Sequence, residues 1–416
     1  MLDMPRCAAL LGIPFILTLV GCGSESVPDD PLAGLQLIGD DLSDIPLKGS
    51  SAEQVARFKE GDALFDFVFR ERDGLGPLYI RTSCAGCHEG AARGPGAVQK
   101  MVLVEADGVT PAADQAVLPY GNTMRPYGVG GAKTLSLPEA AETLTLKLSQ
   151  RLGPPVFGRG YMEAVDDAEI ERVAAEQAAR GDAIRGRINR VVYHSRKNAD
   201  EAFHAHDEGE ENLIGRFGFK ARVATLDDFT ADAYQGDMGI TSPLRPHELP
   251  NPDGLTDDAK PGEDVLLDTV NAVADYMRLL EIPRRAPADP VGEALFAELD
   301  CAACHVPSLR TRADYPIAQL AGIDAPVYTD FLLHDLGPDL ADGLADESAS
   351  STSWRTAPLI GLRHSTAYLH DGRARTIEQA ILLHDGPGSE AAASVAAFRA
   401  LSYEDRAALI DFVRSL

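Results

Sequence analysis

The sequence predicts a mainly α-helical protein of two tandem domains with long loops, the first of which is enlarged by insertions. At 416 residues the chain is too long for one small core. The spacing Cys-x-x-Cys-His occurs twice, in "TSCAGCHEG" (82–90) and "LDCAACHVP" (299–307). Each copy follows a run with apolar residues at helical spacing, "ARFKEGDALFDFVFRE" (56–71) and "DPVGEALFAELD" (289–300), and both runs contain Gly-x-x-Leu-Phe. The repeated order of helix and motif indicates a duplicated unit.

Residues 1–21 have the pattern of a lipoprotein signal peptide. Arg6 precedes an apolar run over 8–20, which is too short to span a bilayer and has the length of a signal core. The sequence Leu-Val-Gly-Cys at 19–22 is similar to a bacterial lipobox, which implies cleavage before Cys22 and acylation of that residue. An ordinary secretory signal with an incidental cysteine is the alternative.

Residues 22–50 are then predicted to be a tether between the lipid and the folded protein. An acyl anchor holds a protein to a membrane face without a spanning helix. We therefore expect a lipid-anchored protein in the cell envelope that faces the periplasm. Gly23 rather than Asp after the anchor residue favours the outer membrane, if the usual sorting rule applies.

The composition is that of an ordinary globular protein, with 45% hydrophobic and 25% charged residues. Acidic residues are in large excess, and the net charge is −26. Because such a charge repels nucleic acid, no nucleic-acid partner is expected. The charge most simply serves solubility, and it leaves open a basic redox partner.

The cysteines decide what the repeated motif binds. Of the six cysteines, Cys7 leaves with the signal and Cys22 takes lipid. The other four all lie in the two motifs: Cys84, Cys87, Cys301 and Cys304. A zinc site would use four thiolates without needing a histidine after each pair, and a thioredoxin-like dithiol needs a βαβ context that the sequence lacks. Cys-x-x-Cys-His is the attachment pattern of c-type haem, so we expect two covalently bound haems with His88 and His305 as iron ligands.

Each unit is expected to close with a helix, as cytochrome c-like domains do. "GEDVLLDTVNAVADYMRLLEI" (262–282) has the helical pattern, and "SYEDRAALIDFVRSL" (402–416) begins with a serine N-cap and an acidic first turn. Between the units, "PRRAPADP" (283–290) has three prolines and no apolar run, which is typical of a linker. The predicted cytochrome c-like haem domains are therefore 51–285 and 286–416.

A second repeat follows each haem motif. "KARVATLDDF" (220–229) and "RARTIEQAI" (373–381) share a basic-Ala-Arg start and a threonine followed by an aliphatic residue. Asp237 and His384 lie beyond these threonines at roughly matching places. If the two units are copies, each of these side chains should face the distal side of its own haem.

These motifs resemble those of the bacterial di-haem oxidoreductase family, which is related to the di-haem cytochrome c peroxidases. The resemblance spans nearly the whole mature chain, and an Asp stands in "GDMG" where Glu is common in the family. The resembling stretches are "TSCAGCHEGAARG" (82–94), "PPVFGRGYMEAV" (154–165), "GRFGFKARVATLDDFTADAYQGDMGITSP" (215–243), "LHDLGPDLAD" (333–342) and "WRTAPLIGLRHSTAYLHDGRARTIEQAILLHDG" (354–386).

The resemblance implies a division of labour between the haems. Haem 1, on His88, is expected to react with hydrogen peroxide, with Asp237 as the acid–base carboxylate. Haem 2, on His305, is expected to relay electrons from an external donor protein, with His384 as its second iron ligand. From the residues alone, no methionine follows Met277, so a histidine or a tyrosine must serve as that ligand, or the site is open. The candidate histidines are the four that follow the second motif: His334, His364, His370 and His384.

Two classes of function stay open at this point. One is a peroxide-dependent oxidoreductase, in which one iron binds peroxide. The other is a non-catalytic electron-transfer or uptake-associated di-haem cytochrome, in which both irons are six-coordinate and low-spin.

Overall fold

The structure is a computed structural model that describes residues 44–416, apart from 92–93, 95, 116–117, 119–120, 134–143, 201, 204–205, 252–261 and 288. The predicted signal peptide, Cys22 and nearly all of the predicted tether lie outside the described residues, so these assignments stay predictions. Within the described part of the chain, no helix combines the length and the apolar character needed to cross a membrane.

Ten α-helices occur among the described residues, and most of them are short. They are α1 (Ala52–Asp66), α2 (Arg159–Ala164), α3 (Asp167–Arg180), α4 (Leu226–Met238), α5 (Leu267–Leu279), α6 (Pro290–Glu298), α7 (Cys301–Cys304), α8 (Ile377–Leu382), α9 (Ala392–Ala400) and α10 (Tyr403–Ser415). The predicted opening helices are present as α1 and α6, and the predicted closing helices as α5 and α10.

In the described part of the chain, ten strands form five antiparallel pairs: β1–β3, β2–β4, β5–β6, β7–β8 and β9–β10. They are β1 (Leu78–Tyr79), β2 (Ala97–Val104), β3 (Tyr127–Gly128), β4 (Thr145–Leu152), β5 (Arg190–Val191), β6 (Leu213–Ile214), β7 (Leu309–Arg310), β8 (Asp324–Ala325), β9 (Leu333–Asp335) and β10 (Ser353–Arg355). The prediction of a mainly α-helical fold is wrong, because the structure is 34% helix and 14% strand and much of the rest is irregular.

The longest strand pair explains part of this error. β2 and β4 have eight residues each and pair in register from Ala97 opposite Leu152 to Val104 opposite Thr145. β2 has the sequence AVQKMVLV, whose β-branched and apolar residues favour a strand. Its partner is distant in the sequence, however, so no short turn marks the pair as a hairpin.

Side-chain caps fix where the repeated helices begin. Ser51 forms a capping box with Gln54 at the start of α1, and Ser402 accepts the N–H of Asp405 at the start of α10. The two threonines of the second repeat have one role in both units. Thr225 accepts the N–H of Asp228 in α4, and Thr376 accepts the N–H of Gln379 in α8.

The opening and closing helices of each unit cross at a glycine. A Cβ on Gly61 of α1 would lie 2.1 Å from the Ala272 carbonyl oxygen in α5. A Cβ on Gly292 of α6 would lie 2.2 Å from the Ala408 carbonyl oxygen in α10. Only a residue without a side chain permits this approach. Both glycines begin the repeated Gly-x-x-Leu-Phe, so this motif has the same packing role in both units.

The phenylalanine of that motif packs close to the histidine of the haem motif that follows it. The rings of Phe65 and His88 have their centroids 6.1 Å apart, and those of Phe296 and His305 are 6.5 Å apart. The larger hydrophobic core includes residues on both sides of the predicted domain boundary, and a smaller core is built on α6 and α10. The boundary between residues 285 and 286 stays a prediction.

Candidate functional site

Both Cys-x-x-Cys-His motifs form a helical turn. The backbone N–H of His88 donates to the Cys84 carbonyl oxygen at 3.0 Å, and that of His305 donates to the Cys301 carbonyl oxygen at 2.9 Å. The turn places each histidine beside the two thiols that precede it. None of the four cysteines is in a disulfide. Each motif therefore presents two free thiols and one imidazole together, as attachment of haem requires.

The structure disfavours the zinc alternative. Among the described residues, one group of three metal-binding side chains has its ligand atoms within 4.8 Å of one another, and it is Cys304, Asp330 and His334. The two cysteine pairs therefore do not converge. Burial raises the pKa of Cys84 and that of Cys301 to about 12, so both are thiols and not thiolates at neutral pH.

His305 and His384 lie in the wall of one mainly apolar cavity, together with both cysteines of the second motif. His305 Nδ1 is 3.2 Å from the Tyr328 carbonyl oxygen, and His384 Nδ1 is 2.6 Å from the Ala380 carbonyl oxygen. Because a carbonyl only accepts, each Nδ1 carries the proton and each Nε2 keeps its lone pair for a metal. Burial lowers the pKa of His305 to about 4 and also lowers that of His384. Two neutral imidazoles in one cavity would both be available to hold a haem iron.

His334 is buried in the wall of the same cavity but lies between two carboxylates. Its Nδ1 is 2.7 Å from Glu390 Oε2, and its Nε2 is 2.9 Å from Asp330 Oδ2. Burial favours the neutral ring, but the charge of Asp330 outweighs it and raises the pKa of His334 well above its usual value. An imidazolium with both nitrogens engaged has no lone pair for iron.

The other two histidines beyond the second motif are also engaged. His364 Nε2 accepts a hydrogen bond from Arg363 Nε at 3.0 Å. His370 lines the cavity, but its ring stacks on that of Trp354 with centroids 3.9 Å apart. His384 stays the predicted second ligand of haem 2, and its free Nε2 is the feature that favours it over the other three.

The first motif is enclosed by glycines that flank β2 and β4. The N–H of Gly153 donates to the Gly96 carbonyl oxygen at 3.0 Å. A Cβ on Gly96 would lie 2.6 Å from Cys87 Sγ, and a Cβ on Gly153 would lie 3.0 Å from His88 Cε1. His88 Nδ1 is buried without a hydrogen bond of good geometry, and burial, followed by the charge of Arg159, lowers the pKa of His88 to about 4. A neutral imidazole with a buried Nδ1, packed against glycine backbone, fits an iron ligand.

Asp237 lies in the last turn of α4, next to the first motif. Its carbonyl oxygen accepts the N–H of Ile80 at 2.7 Å and that of Arg81 at 3.3 Å, just before the motif begins. Burial raises the pKa of Asp237 to about 6, against the positive charge of Lys100. After burial, the charge of Asp237 is the largest contribution to the raised pKa of Cys84. A carboxyl group with this pKa can take up and release a proton near neutral pH.

Two groups of charged residues around the sites were not predicted from the sequence. One is His334 with its two carboxylates, and the other is a pair of buried arginines, Arg159 and Arg355. Their positions carry no spacing signal of their own. Both arginines do fall within stretches that carry the family resemblance, and this was the one available signal.

Comparison with known proteins agrees with these features. The model of a family described as "Di-haem oxidoreductase, putative peroxidase" matches residues 141–416, well over half of the chain. That match includes the second Cys-x-x-Cys-His motif and begins after the first. No curated protein matches the chain.

Among solved structures, the hydrazine synthase of Kuenenia stuttgartiensis, pressurized with 20 bar xenon, is similar over 97% of this chain and 100% of its own, with 12% identity and a TM-score of 0.38. This likeness is too low to support a conclusion about fold or activity. The family match, the two motifs and the histidine pair of the second cavity do support one. The chain belongs to the di-haem oxidoreductase family, which gives it a redox role with haem as the cofactor.

Proposed function

We propose that the protein is an exported di-haem c-type cytochrome that accepts electrons from an external donor protein and uses them in a peroxide-dependent oxidoreductase reaction. Haem is covalently held by Cys84 and Cys87 at the first site and by Cys301 and Cys304 at the second. Bound there, haem iron supplies one-electron redox chemistry, with reaction of hydrogen peroxide at the first site and electron relay at the second. The observation that carries the proposal is the difference between the two sites.

The second site presents two imidazoles that would hold a haem iron. His305 and His384 are neutral and half-buried, and each is oriented by a backbone carbonyl. An iron held between two imidazoles is low-spin and leaves no position for a substrate. The protein residues therefore suit this site to electron transfer.

The first site offers a carboxylate instead. His88 supplies a neutral imidazole, and Asp237 supplies a carboxyl group whose pKa burial raises to about 6. Such a group can accept a proton from one oxygen of hydrogen peroxide and donate it to the other, which then leaves as water. A peroxidase needs such a carboxylate beside the site where peroxide reacts, whereas a simple electron carrier has no use for one.

The tests are a pyridine haemochrome assay and a peroxide titration followed by electronic and electron paramagnetic resonance spectra. We expect two covalent haems per chain, one low-spin and one high-spin or convertible to high-spin on half reduction, and consumption of peroxide by the half-reduced protein. One haem per chain, or zinc in place of iron, would overturn the proposal. Two low-spin haems that do not react with peroxide would instead establish the electron carrier.

Export and anchoring are part of the proposal and depend on the lipobox at Cys22. We expect the mature protein to be held by its acyl chains to the periplasmic face of the outer membrane. Metabolic labelling with a fatty acid analogue, followed by fractionation of the envelope, tests this part independently of the haem chemistry.

A further inference from the structure

Two arginines in the wall of the second cavity are buried. Arg159 is 3% exposed and Arg355 is 6% exposed, and both line the cavity that contains His305 and His384. Such burial is rare for arginine unless its charge is paired.

Neither arginine is paired with a carboxylate. Arg159 donates from Nε and Nη2 to the Pro155 carbonyl oxygen, at 3.0 and 2.6 Å, and from Nη1 to Met162 Sδ at 3.4 Å. Arg355 donates from Nε to the Gly218 carbonyl oxygen at 2.9 Å and from Nη1 to the Thr356 carbonyl oxygen at 2.8 Å. All of these acceptors are neutral.

Other buried arginines of this protein differ in this respect. Arg151 pairs with Asp342, Arg278 with Glu163, and Arg216 with Asp167. Among the described residues, no carboxylate oxygen lies within 4.0 Å of the guanidinium nitrogens of Arg159 or Arg355. Arg159 and Arg355 therefore lack the carboxylate partner that these three arginines have.

Leaving two cations unpaired in one buried place is unfavourable. Removing an ion from water costs several kcal/mol unless an opposite charge offsets it. Burial lowers the pKa of Arg159 to about 10. Burial together with the charge of Arg159 lowers the pKa of Arg355 to about 9, and the charge of Asp330, which is not within ion-pair distance, opposes this shift without offsetting it. The two guanidinium groups are thus close enough to repel each other, and a bound anion would relieve both costs.

The carboxylates already in the cavity wall are committed to other partners. Asp300 accepts from Arg180 at 2.9 Å, and Glu390 lies 2.7 Å from His334. The counter-charge must therefore come with the ligand. Haem carries two propionate carboxylates, which equals the number of unpaired arginines, and guanidinium matches carboxylate with paired, charge-assisted hydrogen bonds.

We propose that Arg159 and Arg355 bind the propionate groups of the haem in the second cavity. This inference rests on the proposed function, because that function places a haem there. Arg159 also lowers the pKa of His88, so its charge acts on both sites. The pair then has two effects: it orients the haem within its cavity, and its positive charge sets the redox potential of that haem.

The test replaces each arginine by glutamine and by lysine in the full-length holoprotein. The control is Arg216→Gln, which removes an equally buried arginine, 3% exposed, that pairs with Asp167 and is not part of the cavity wall. Haem content is measured by pyridine haemochrome, and the midpoint potential of the low-spin haem by a redox titration followed by electron paramagnetic resonance. Resonance Raman spectra report the bending modes of the propionates.

Removing a positive charge beside the haem stabilises the ferric state relative to the ferrous state. The midpoint potential should therefore fall in Arg355→Gln and in Arg159→Gln. We expect at least a tenfold change in the ratio of reduced to oxidised haem 2 at a fixed potential, which is ~59 mV for one electron. The lysine variants keep the charge, so they should change that ratio less than tenfold while still shifting the propionate bands. Arg216→Gln should change neither the potential nor the bands.

Two haems per chain with unchanged potentials and unchanged propionate bands in both glutamine variants would overturn this inference alone. A wild-type protein without haem at the second motif would overturn the proposed function together with it. If a glutamine variant does not fold, unchanged propionate bands in the corresponding lysine variant would also overturn the inference.

Discussion

Replacing Asp237 by asparagine should slow the reaction with peroxide and at the same time stabilise the fold. The side chain has no hydrogen bond among the described residues, and its structural contact is made by the main-chain carbonyl, which accepts from Ile80 and Arg81. Asparagine has nearly the same shape and keeps that main-chain contact. The substitution therefore removes the ionisable group and little else.

The magnitude for stability follows from the pKa. Burial raises the pKa of Asp237 from 3.8 to about 6, which corresponds to roughly 3 kcal/mol of cost for keeping the carboxylate in the folded protein. Because the folded state holds this proton more tightly than the unfolded state, the wild type loses stability as the pH rises from about 4 to about 6. Asp237→Asn does not lose this stability, because asparagine does not ionise. The variant should be more stable by up to roughly 3 kcal/mol above pH 6 and equal to the wild type below about pH 4.

The magnitude for turnover follows from the role of the proton carrier. Loss of a positioned acid–base group costs roughly 10²-fold or more in rate. The wild-type rate should also fall as the pH drops below about 6, because the carboxylate base is then protonated. Stopped-flow measurement of peroxide consumption by the half-reduced protein gives the rate, and guanidinium unfolding at pH 4 and pH 7 gives the stability.

Asp232, in the same helix, is the matched control. It pairs with Arg222 and Arg245, and although burial opposes this, their charges lower its pKa to about 2. Asp232→Asn should therefore destabilise the protein at pH 7 by roughly 2 kcal/mol, the opposite sign to Asp237→Asn. If Asp237→Asn leaves the rate unchanged, the protein lacks its proposed proton carrier and the electron-carrier function becomes the better one. If the two variants change stability in the same direction, the assigned burial of Asp237 is incorrect.

Three further outcomes are expected. His384→Ala should convert haem 2 from low-spin to high-spin with haem content unchanged, and an unchanged spectrum would move the ligand to another histidine. His334→Gln should leave the spin state unchanged, and a change of spin state in this variant would contradict the assignment of His334. The variant should destabilise the fold by roughly 3–5 kcal/mol, because it leaves the carboxylates of Asp330, which is buried, and Glu390, which is half-buried, without their cation. Cys22→Ala should release a soluble, unlabelled protein from the membrane fraction, whereas a variant that stays bound would show that the lipobox assignment is wrong.

The features that could be predicted from the sequence are those encoded by short, local patterns. The haem motifs are turns closed by backbone hydrogen bonds to the carbonyl oxygen of their own first cysteine. The helix start at Ser402 is set by its side chain, which accepts the N–H of the residue three positions further on. The repeated Gly-x-x-Leu-Phe was visible as a repeat, and its glycine has the same packing role in both units. Local signals of this kind do not depend on the rest of the chain.

The features that were missed depend on residues far apart in the sequence. β2 pairs with β4 across a long connection, so no tight turn in the sequence marks the two segments as paired strands. Arg159 and Arg355 indicate an anion site only because no carboxylate pairs with them in the structure. A sequence does not show which side chains are left without an ion pair. His334 appears equivalent to His384 in the sequence, yet two distant carboxylates engage its nitrogens while a carbonyl leaves the Nε2 of His384 free.

The lengths of two equivalent helices account for the difference between the sites. Thr225 and Thr376 cap α4 and α8 in the same way, but α4 has 13 residues and α8 has six. Asp237 is therefore still inside a helix, where its carbonyl is tied to the chain before the first motif. His384 lies just past the end of α8, where its Nδ1 can reach back to the carbonyl of Ala380. Under the proposed function, this difference in helix length puts a carboxylate at the first site and a free imidazole nitrogen at the second, as a peroxide-reacting site and an electron relay would require.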